Sequence, residues 1–325
     1  MGSKYRVVPY LAKVFAELPC GRVLDGFSGS GVVAYALKEM GAEVVTNDFL
    51  HFPATVATAT IANSDTTLTP EDLECILRPN ADGRDFIRAT FSGRYFPDDD
   101  LGFLDAAWSH IEGLGPHKQA LAISALCLAA ARKQPRGVFT VTDFRYDDGR
   151  RSLRAPLRTL FTEAVSDYNQ AVFDNGRSSR TVCGDIFELE PEGFDTVYFD
   201  PPYVPPRDDN DYIKRYHFLE GLSLYWRGQR IMEETTTKKL EKRFTRFAYK
   251  RTIREAFREL FHRFRESVIV LSYSSNSIPD GQELEELLRT EKRDVRMHAI
   301  PHRYSFGTHA AATRRIVDEY IFVAR

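Results

Sequence analysis

Four consecutive residues are best suited to chemistry: Asp200-Pro201-Pro202-Tyr203. An ionised Asp carries only acceptors, and proline has a carbonyl acceptor but no N–H donor. Such a set suits a neutral amino group whose lone pair is conjugated into a ring, because acceptors that draw its hydrogens out of the ring plane free that lone pair. The Tyr203 ring can stack on a planar base, a contact worth about 1 to 3 kcal/mol. A Pro-Pro pair can also simply end a strand, but the adjacent acid and aromatic residue favour the chemical interpretation.

A glycine-rich segment near the N-terminus is the second candidate: Asp25-Gly26-Phe27-Ser28-Gly29-Ser30-Gly31. Small residues between a strand and a helix let the backbone approach a ligand at the helix N-terminus. Gly29, Gly31 and Ala34 also satisfy the dinucleotide pattern G-x-G-x-x-A, with Asp48 placed to hold ribose hydroxyls. The segment therefore predicts a nucleotide-type site, and a purely structural tight turn remains an alternative.

The surrounding elements predict an α/β fold with a Rossmann-like, mostly parallel sheet and an antiparallel C-terminal strand. The predicted strands are 22–25, 42–47, 181–183, 196–199, 268–273, 295–300 and 316–323, and the predicted helices are 7–18, 32–40, 52–62, 252–264 and 281–288. Between them, residues 65–180 are less regular, with loops rich in Gly, Pro and Asp around one strongly apolar helix at 119–133. We therefore expect a catalytic domain formed by residues 1–64 and 181–325, interrupted by an inserted region at 65–180.

Composition is that of an ordinary globular enzyme, with 325 residues, 43% hydrophobic and 28% charged. The cysteines stand singly, which predicts neither a zinc site nor a disulfide framework; they are Cys20, Cys75, Cys127 and Cys183. The chain begins without a signal-peptide pattern, and its longest apolar run, 120–131, is too short to span a bilayer. We expect a cytoplasmic, reducing location. The net charge of −2 requires any DNA-binding face to be locally basic.

These motifs together resemble the adenine-N6 DNA methyltransferases in which the glycine loop comes first, a target-recognition region is inserted, and DPPY follows. An initial Asp in that tetrapeptide is associated with adenine. The resemblance implies S-adenosylmethionine as cofactor, double-stranded DNA as substrate, and catalysis by Asp200, Pro201, Pro202 and Tyr203 through direct in-line transfer without metal or covalent intermediate.

The resemblance also implies a set of cofactor contacts. Residues 2–5 resemble the family's N-terminal G-[GS]-K motif, and residues 27–31 match its F-x-G-x-G. Residues 47–49 lie where the family places its ribose-binding acid, and residues 184–186 where it places contacts to the cofactor's adenine. The implied residues are Ser3, Lys4, Tyr5, Asp25, Phe27, Ser28, Gly29, Ser30, Gly31, Asn47, Asp48, Phe49, Asp185 and Ile186. Residues 271–274 look like a later strand that lines the pocket.

DNA contacts are expected in two places. Residues 216–220 resemble a Tyr-His-x-Leu-Glu segment that follows the tetrapeptide in relatives, and cations cluster with aromatic residues between 238 and 265. The expected contacts are Tyr212, Arg215, Tyr216, His217, Lys242, Arg243, Arg246 and Lys250. A solvated helix whose basic side chains cover core aromatics is an equal alternative for the cationic stretch, and a structural role is favoured for His217 over that of a base. Residues 132–136 are a further basic candidate, and nothing in the insertion identifies a target sequence.

Other functions stay open at this point. An RNA adenine or guanine amino methyltransferase would use the same tetrapeptide, and a nicotinamide-dependent oxidoreductase would use the glycine loop but leave the tetrapeptide unexplained. A catalytically silent DNA-binding relative is a third possibility. An accompanying restriction endonuclease is a possible partner.

Overall fold

The computed structural model describes residues 4–140, 149–191, 193–206, 212–303 and 316–325. These residues group into two compact units. The helical unit contains Leu50–Asn175 and Ile213–Arg243, and the sheet unit contains the described residues of 4–49, Gly176–Tyr212 and Phe244–Arg325.

The sheet unit is built on strands that run mostly parallel. In chain order the described strands are β1 (Arg22–Asp25), β2 (Glu43–Asp48), β3 (Arg180–Cys183), β4 (Thr196–Phe199), β5 (Val268–Ser274), β6 (Val295–Arg303) and β7 (Ile316–Ala324). Their order across the sheet is β3-β2-β1-β4-β5-β7-β6. The first five run parallel to one another, and β7 runs antiparallel between β5 and β6. The predicted α/β fold with an antiparallel C-terminal strand is confirmed.

Helices account for most of the remaining described chain. They are α1 (Val8–Phe15), α2 (Val32–Glu39), α3 (His51–Ala57), α4 (Pro70–Ile76), α5 (Phe86–Phe91), α6 (Asp98–Ile111), α7 (Pro116–Lys133), α8 (Arg151–Arg154), α9 (Leu157–Ala171), α10 (Tyr212–Leu224), α11 (Ile253–Arg263) and α12 (Gly281–Arg289). Helices α1, α2, α11 and α12 belong to the sheet unit. Among the described residues, no helix combines the length and the hydropathy needed to cross a bilayer.

The core of the sheet unit explains why its strands were easy to predict. All four residues of β4 are buried, as are nearly all of β5, because parallel strands are covered on both faces and read as continuous apolar runs. Helix α11 buries Ile253, Ala256, Phe257, Leu260 and Phe261, whose spacing of three and four residues lines one helix face. This face packs in one cluster with strand residues of the sheet.

The helical unit corrects the expectation of a single apolar helix among loops. Helix α7 packs against α9, whose buried residues recur with helical spacing, and α10 lies where no helix was predicted. Helix α9 was missed because its apolar residues alternate with charges, which lowers its mean hydropathy although the period is helical.

The boundaries of the helical unit also differ from the expected insertion at 65–180. Helix α3 and the π turn after it, Thr58–Ala62, pack with α7, and residues 213–243 join the same unit. The Phe52 N–H donates to the buried Glu220 carboxylate at 3.1 Å, and the Phe52 ring lies 5.7 Å from that of Tyr216. These contacts join two segments that are far apart in the chain.

Candidate active site

The glycine loop and the tetrapeptide begin on neighbouring strands. Strand β1 pairs with β2 on one side and β4 on the other, with Asp25 level with Tyr198. The Gly26 N–H donates to the Tyr198 carbonyl at 2.9 Å, two residues before Asp200. Because the connections leave in opposite directions from β1 and β4, this is a topological switch point, where open α/β sheets bind ligands.

Backbone hydrogen bonds fix the glycine loop to the end of β2. The Ser28 N–H donates to the Asn47 carbonyl and the Gly29 N–H to Asp48 Oδ2, both at 2.9 Å. Gly29 and Gly31 have φ of 50° and 74°, in the left-handed region that costs a residue with a Cβ about 1 to 2 kcal/mol. Gly31 directly precedes α2, so the turn presents the N-terminus of that helix.

Beneath this loop lie buried polar atoms that lack a hydrogen-bond partner within the described part of the chain: Asp25 Oδ1, Ser28 Oγ and Asn47 Oδ1. Buried polar groups are usually satisfied, so these three atoms are available to hydrogen-bond a polar ligand. Burial, reinforced by the Asp200 charge, raises the pKa of Asp25 to about 8. A protonated Asp25 can donate as well as accept a hydrogen bond.

At the tetrapeptide, four polar side chains meet: those of Lys4, Asp200, Tyr203 and Glu319. Lys4 Nζ lies 2.9 Å from Asp200 Oδ1 and 2.7 Å from Glu319 Oε1, and it donates to the Tyr203 hydroxyl. That hydroxyl is 2.8 Å from Asp200 Oδ1 and 2.6 Å from Glu319 Oε1. Its single proton can serve one carboxylate at a time. The Lys4 ammonium also lies 4.7 Å from the centroid of the Tyr203 ring, so a stacked base must use ring surface away from Lys4.

Electrostatics at Asp200 are set by opposing neighbours. Burial raises the pKa of Asp200, the Lys4 ammonium lowers it, and the Glu319 carboxylate raises it. Glu319 is only 1% exposed, although it comes from the last strand of the sheet, level with Ser274 of β5. Sequence reasoning missed Glu319; the available indication was an acid in the middle of the apolar run that forms β7.

The other predicted cofactor residues surround the loop with varied roles. The Phe27 ring packs edge-on against Phe247 and Phe199 at 5.2 and 6.2 Å. Asp185 Oδ1 accepts the Phe187 N–H at 3.1 Å, which starts a short turn in which Ile186 is buried.

Two predicted residues lie at the margins of this arrangement. Phe49 is half-buried at the end of β2, and Tyr5 is 73% exposed. Ser3 lies outside the described residues.

Two of the expected DNA contacts are interior residues, which corrects the prediction. Tyr216 and His217 are 4% and 0% exposed on α10. The His217 Nε2 lies 2.9 Å from the Phe139 carbonyl and 3.2 Å from the Tyr95 hydroxyl, so the imidazole belongs to the core of the helical unit. Burial of both side chains excludes direct contact with DNA in this conformation.

The cationic stretch is largely paired with acids. Arg243 lies 3.3 Å from buried Glu220, and Arg246 pairs with Glu259 and covers the Phe187 ring at 4.2 Å. Further pairs join Lys238 to Glu233, Arg254 to Glu283 and Arg258 to Glu255. Arg215 and Lys242 are exposed and Lys250 is half-buried, while the Tyr212 side chain lies outside what the structure describes.

The second basic candidate is also partly internal. Lys133 is buried and lies 3.0 Å from Asp100, and Gln134 is 3% exposed and donates to the Tyr95 carbonyl at 2.6 Å. Arg132 pairs with Asp167 at 2.8 Å. Within the described ranges, no group of three or more His, Cys, Asp or Glu side chains is arranged to hold a metal ion.

A family model described as D12 class N6 adenine-specific DNA methyltransferase matches residues 1–277. The chain belongs to this family. It is accordingly an enzyme that methylates adenine in DNA, and it uses a methyl donor. Membership favours the DNA methyltransferase over the RNA methyltransferase and the nicotinamide-dependent oxidoreductase considered above.

Curated relatives agree with this assignment. The chain is 28% identical over 323 residues to the type II methyltransferase M2.HphI of Haemophilus parahaemolyticus, covering 94% of this chain and 90% of that one. It is 23% identical over 358 aligned positions to the modification methylase StsI of Streptococcus sanguinis, covering all of this chain and 51% of that relative. The type II methyltransferase M.FokI of Planomicrobium okeanokoites shares 28% identity over 130 residues, 39% of this chain and 19% of its own.

Proposed function

We propose that this D12-class enzyme transfers the methyl group of S-adenosylmethionine to the exocyclic amine of a flipped adenine, held by Asp200, Pro201, Pro202 and Tyr203. The observation that carries the proposal is the adjacency of the two motifs, with the Gly26 N–H bonded to the Tyr198 carbonyl at 2.9 Å. A cofactor in the glycine loop and an amine at the tetrapeptide then meet at one edge of the sheet. Flipping the base costs a few kcal/mol, which the Tyr203 ring offsets by stacking.

Residues at the glycine loop fit the cofactor. The unsatisfied Asp25 Oδ1, Ser28 Oγ and Asn47 Oδ1 are buried there, and a nucleoside with an amino acid end carries the donors and acceptors they lack. In this proposal the cofactor is held by Lys4, the loop and the ends of β2 and β3. When bound, S-adenosylmethionine supplies an electrophilic methyl group on a sulfonium.

The tetrapeptide acts on the amine. Asp200 and a proline carbonyl accept its two N–H groups, which turns the lone pair out of conjugation with the ring. The nitrogen would become cationic as its bond to the methyl carbon forms and the carbon–sulfur bond breaks, with S-adenosylhomocysteine as the leaving group, and the Asp200 carboxylate would stabilise that charge. The nitrogen then loses its surplus proton to water, so no protein base is required.

The helical unit is proposed to recognise the target sequence, with Arg215 and Lys242 among its phosphate contacts. A cognate restriction endonuclease is a proposed partner, since two relatives are named type II methyltransferases. A cytoplasmic location beside the chromosome accords with this function.

The test compares Asp200→Ala with Asp318→Asn, which removes a carboxylate from β7 outside the site. We expect Asp200→Ala to retain S-adenosylmethionine binding by calorimetry, within about tenfold of the wild-type affinity, and to lose at least about a hundredfold in methyl transfer to duplex DNA. Asp318→Asn should behave as the wild type. Wild-type turnover in Asp200→Ala would refute the assigned role, and equal labelling of RNA and DNA would refute the proposed substrate.

A further inference from the structure

The buried Glu319 is unexpected beside a catalytic carboxylate. Two acids, Asp200 and Glu319, both approach the Lys4 ammonium, at 2.9 and 2.7 Å, and both approach the Tyr203 hydroxyl. Side chains of Lys4 and Glu319 are 9% and 1% exposed, so water screens their charges little. Removing charged groups from water costs free energy, so a second acid on one buried ammonium is unusual.

The Glu319 carboxylate changes the net charge of the cluster around Asp200. Lys4 and Asp200 alone form a neutral pair. In that pair the ammonium cancels the field of the Asp200 carboxylate, which must face the adenine amine as its nitrogen gains positive charge. With Glu319 included, one positive and two negative groups leave the cluster with a net charge of −1. Asp25, at the end of β1, does not alter this sum near neutral pH, since burial raises its pKa to about 8.

The groups that face Asp200 come from several elements. They are Lys4 from the N-terminal turn, Glu319 from β7, Tyr203 from the tetrapeptide itself, Asp25 from β1 and Tyr198 from β4. Of these, Lys4 is the cation, and Glu319 shares the Lys4 ammonium with Asp200. The Tyr203 hydroxyl lies within hydrogen-bond distance of both carboxylates.

We infer that Glu319 is a positioning residue of the transfer reaction, which shares the Lys4 ammonium so that Lys4 orients Asp200 and Tyr203 without cancelling the negative charge presented to the amine. The inference rests on the proposed function, in which Asp200 accepts the amine. It assigns the C-terminal antiparallel strand a role in the chemistry as well as in the fold.

The main experiment places Glu319→Gln in two backgrounds. Glutamine keeps the size and an acceptor oxygen but removes the charge. In the otherwise wild-type enzyme we expect the single-turnover methylation rate to fall about tenfold or more. In the Lys4→Met background, Glu319→Gln should cost nothing further or raise the rate, because it then returns the cluster from −2 to −1. Asp318→Asn, one residue earlier and on the opposite face of β7, is the matched control.

Two further measurements separate a charge effect from a structural one. Since Glu319 raises the pKa of Asp200, Glu319→Gln should shift the acid limb of the rate–pH profile about one unit lower, whereas Asp318→Asn should leave it in place. By calorimetry, Glu319→Gln should lower the affinity for cationic S-adenosylmethionine about tenfold relative to neutral S-adenosylhomocysteine. If Glu319→Gln alone folds poorly, the double variant Lys4→Met/Glu319→Gln is compared with Lys4→Met. The double variant has no buried ammonium that lacks a partner acid.

The inference is overturned if Glu319→Gln lowers the rate by the same factor in both backgrounds, or if its acid limb and affinity ratio match those of Asp318→Asn. Failure of the proposed function is distinguishable, because Asp200→Ala would then remain active. If Asp200→Ala is inactive while Glu319→Gln has wild-type activity, only the role of Glu319 is rejected.

Discussion

Replacing Gly29 by alanine tests whether the glycine loop is the cofactor site. The φ of 50° lies in the left-handed region, and a Cβ there would meet nothing closer than the Phe27 carbonyl at 3.9 Å. Steric clash is therefore absent, and the expected cost is the backbone strain of about 1 to 2 kcal/mol.

Gly41 provides a matched control. It follows α2, has a φ of 87°, and an added Cβ would meet nothing within 4 Å. Gly41→Ala should therefore carry a similar strain, about 1 to 2 kcal/mol, at a distance from the loop. Both variants should lower the free energy of unfolding in urea by no more than this amount.

Cofactor affinity is where the two variants should differ. The Gly29 N–H donates to Asp48 Oδ2 at 2.9 Å, so we expect a backbone shift that relieves the strain at Gly29 to disturb the loop that receives the ligand. We expect Gly29→Ala to weaken S-adenosylmethionine binding about 5- to 30-fold, the same 1 to 2 kcal/mol expressed as an equilibrium constant. Calorimetry on both proteins measures it. Equal affinities in Gly29→Ala, Gly41→Ala and wild type would show that the loop does not bind the cofactor.

Three other outcomes follow from particular contacts. Gly221→Ala should destabilise the enzyme by about 1 to 3 kcal/mol in urea unfolding, because its Cβ would overlap the Trp226 indole. Gly102→Ala, inside α6, should be neutral or stabilising, because its Cβ would meet only Arg88 Cδ at 3.9 Å; a harmless Gly221→Ala would refute the Trp226 packing. Burial raises the pKa of Asp25 to about 8, so the protonated carboxyl stabilises the folded state. Its contribution to the free energy of unfolding is full below pH 3.8, its ordinary pKa, and is lost as the pH rises to about 8. Asp25→Asn should abolish that decline, at most about 1.4 kcal/mol per pH unit, and an unchanged stability–pH curve would contradict the assignment. Arg215→Ala should reduce the slope of log affinity against log salt for duplex DNA by about one, with little sequence dependence; an unchanged slope would remove Arg215 from the phosphate contacts.

Much of the sheet unit was predictable because its information is local. Predicted strand 196–199 matches β4 at both ends, since a strand covered on both faces must be apolar throughout. The chemistry of Asp200 to Tyr203 was also readable from residue type alone, because proline lacks a donor wherever it lies.

Errors arose where burial depends on distant partners. His217 carries donors and acceptors that suit either DNA or a protein interior, and only the fold shows that its Nε2 lies against the Phe139 carbonyl and the Tyr95 hydroxyl. Helix α9 has the period of a buried face but a polar composition, so its existence depends on packing against α7.

The sequence by itself determined the two motifs, the strands that carry them and the family resemblance, since each is written in a short run of residues. Only the tertiary structure decided that Lys4, near one end of the chain, and Glu319, near the other, meet at Asp200. No local pattern encodes such a pairing, because it is created when β7 inserts beside β5 and brings a buried acid to a buried cation, and the free energy of both charges depends on that proximity.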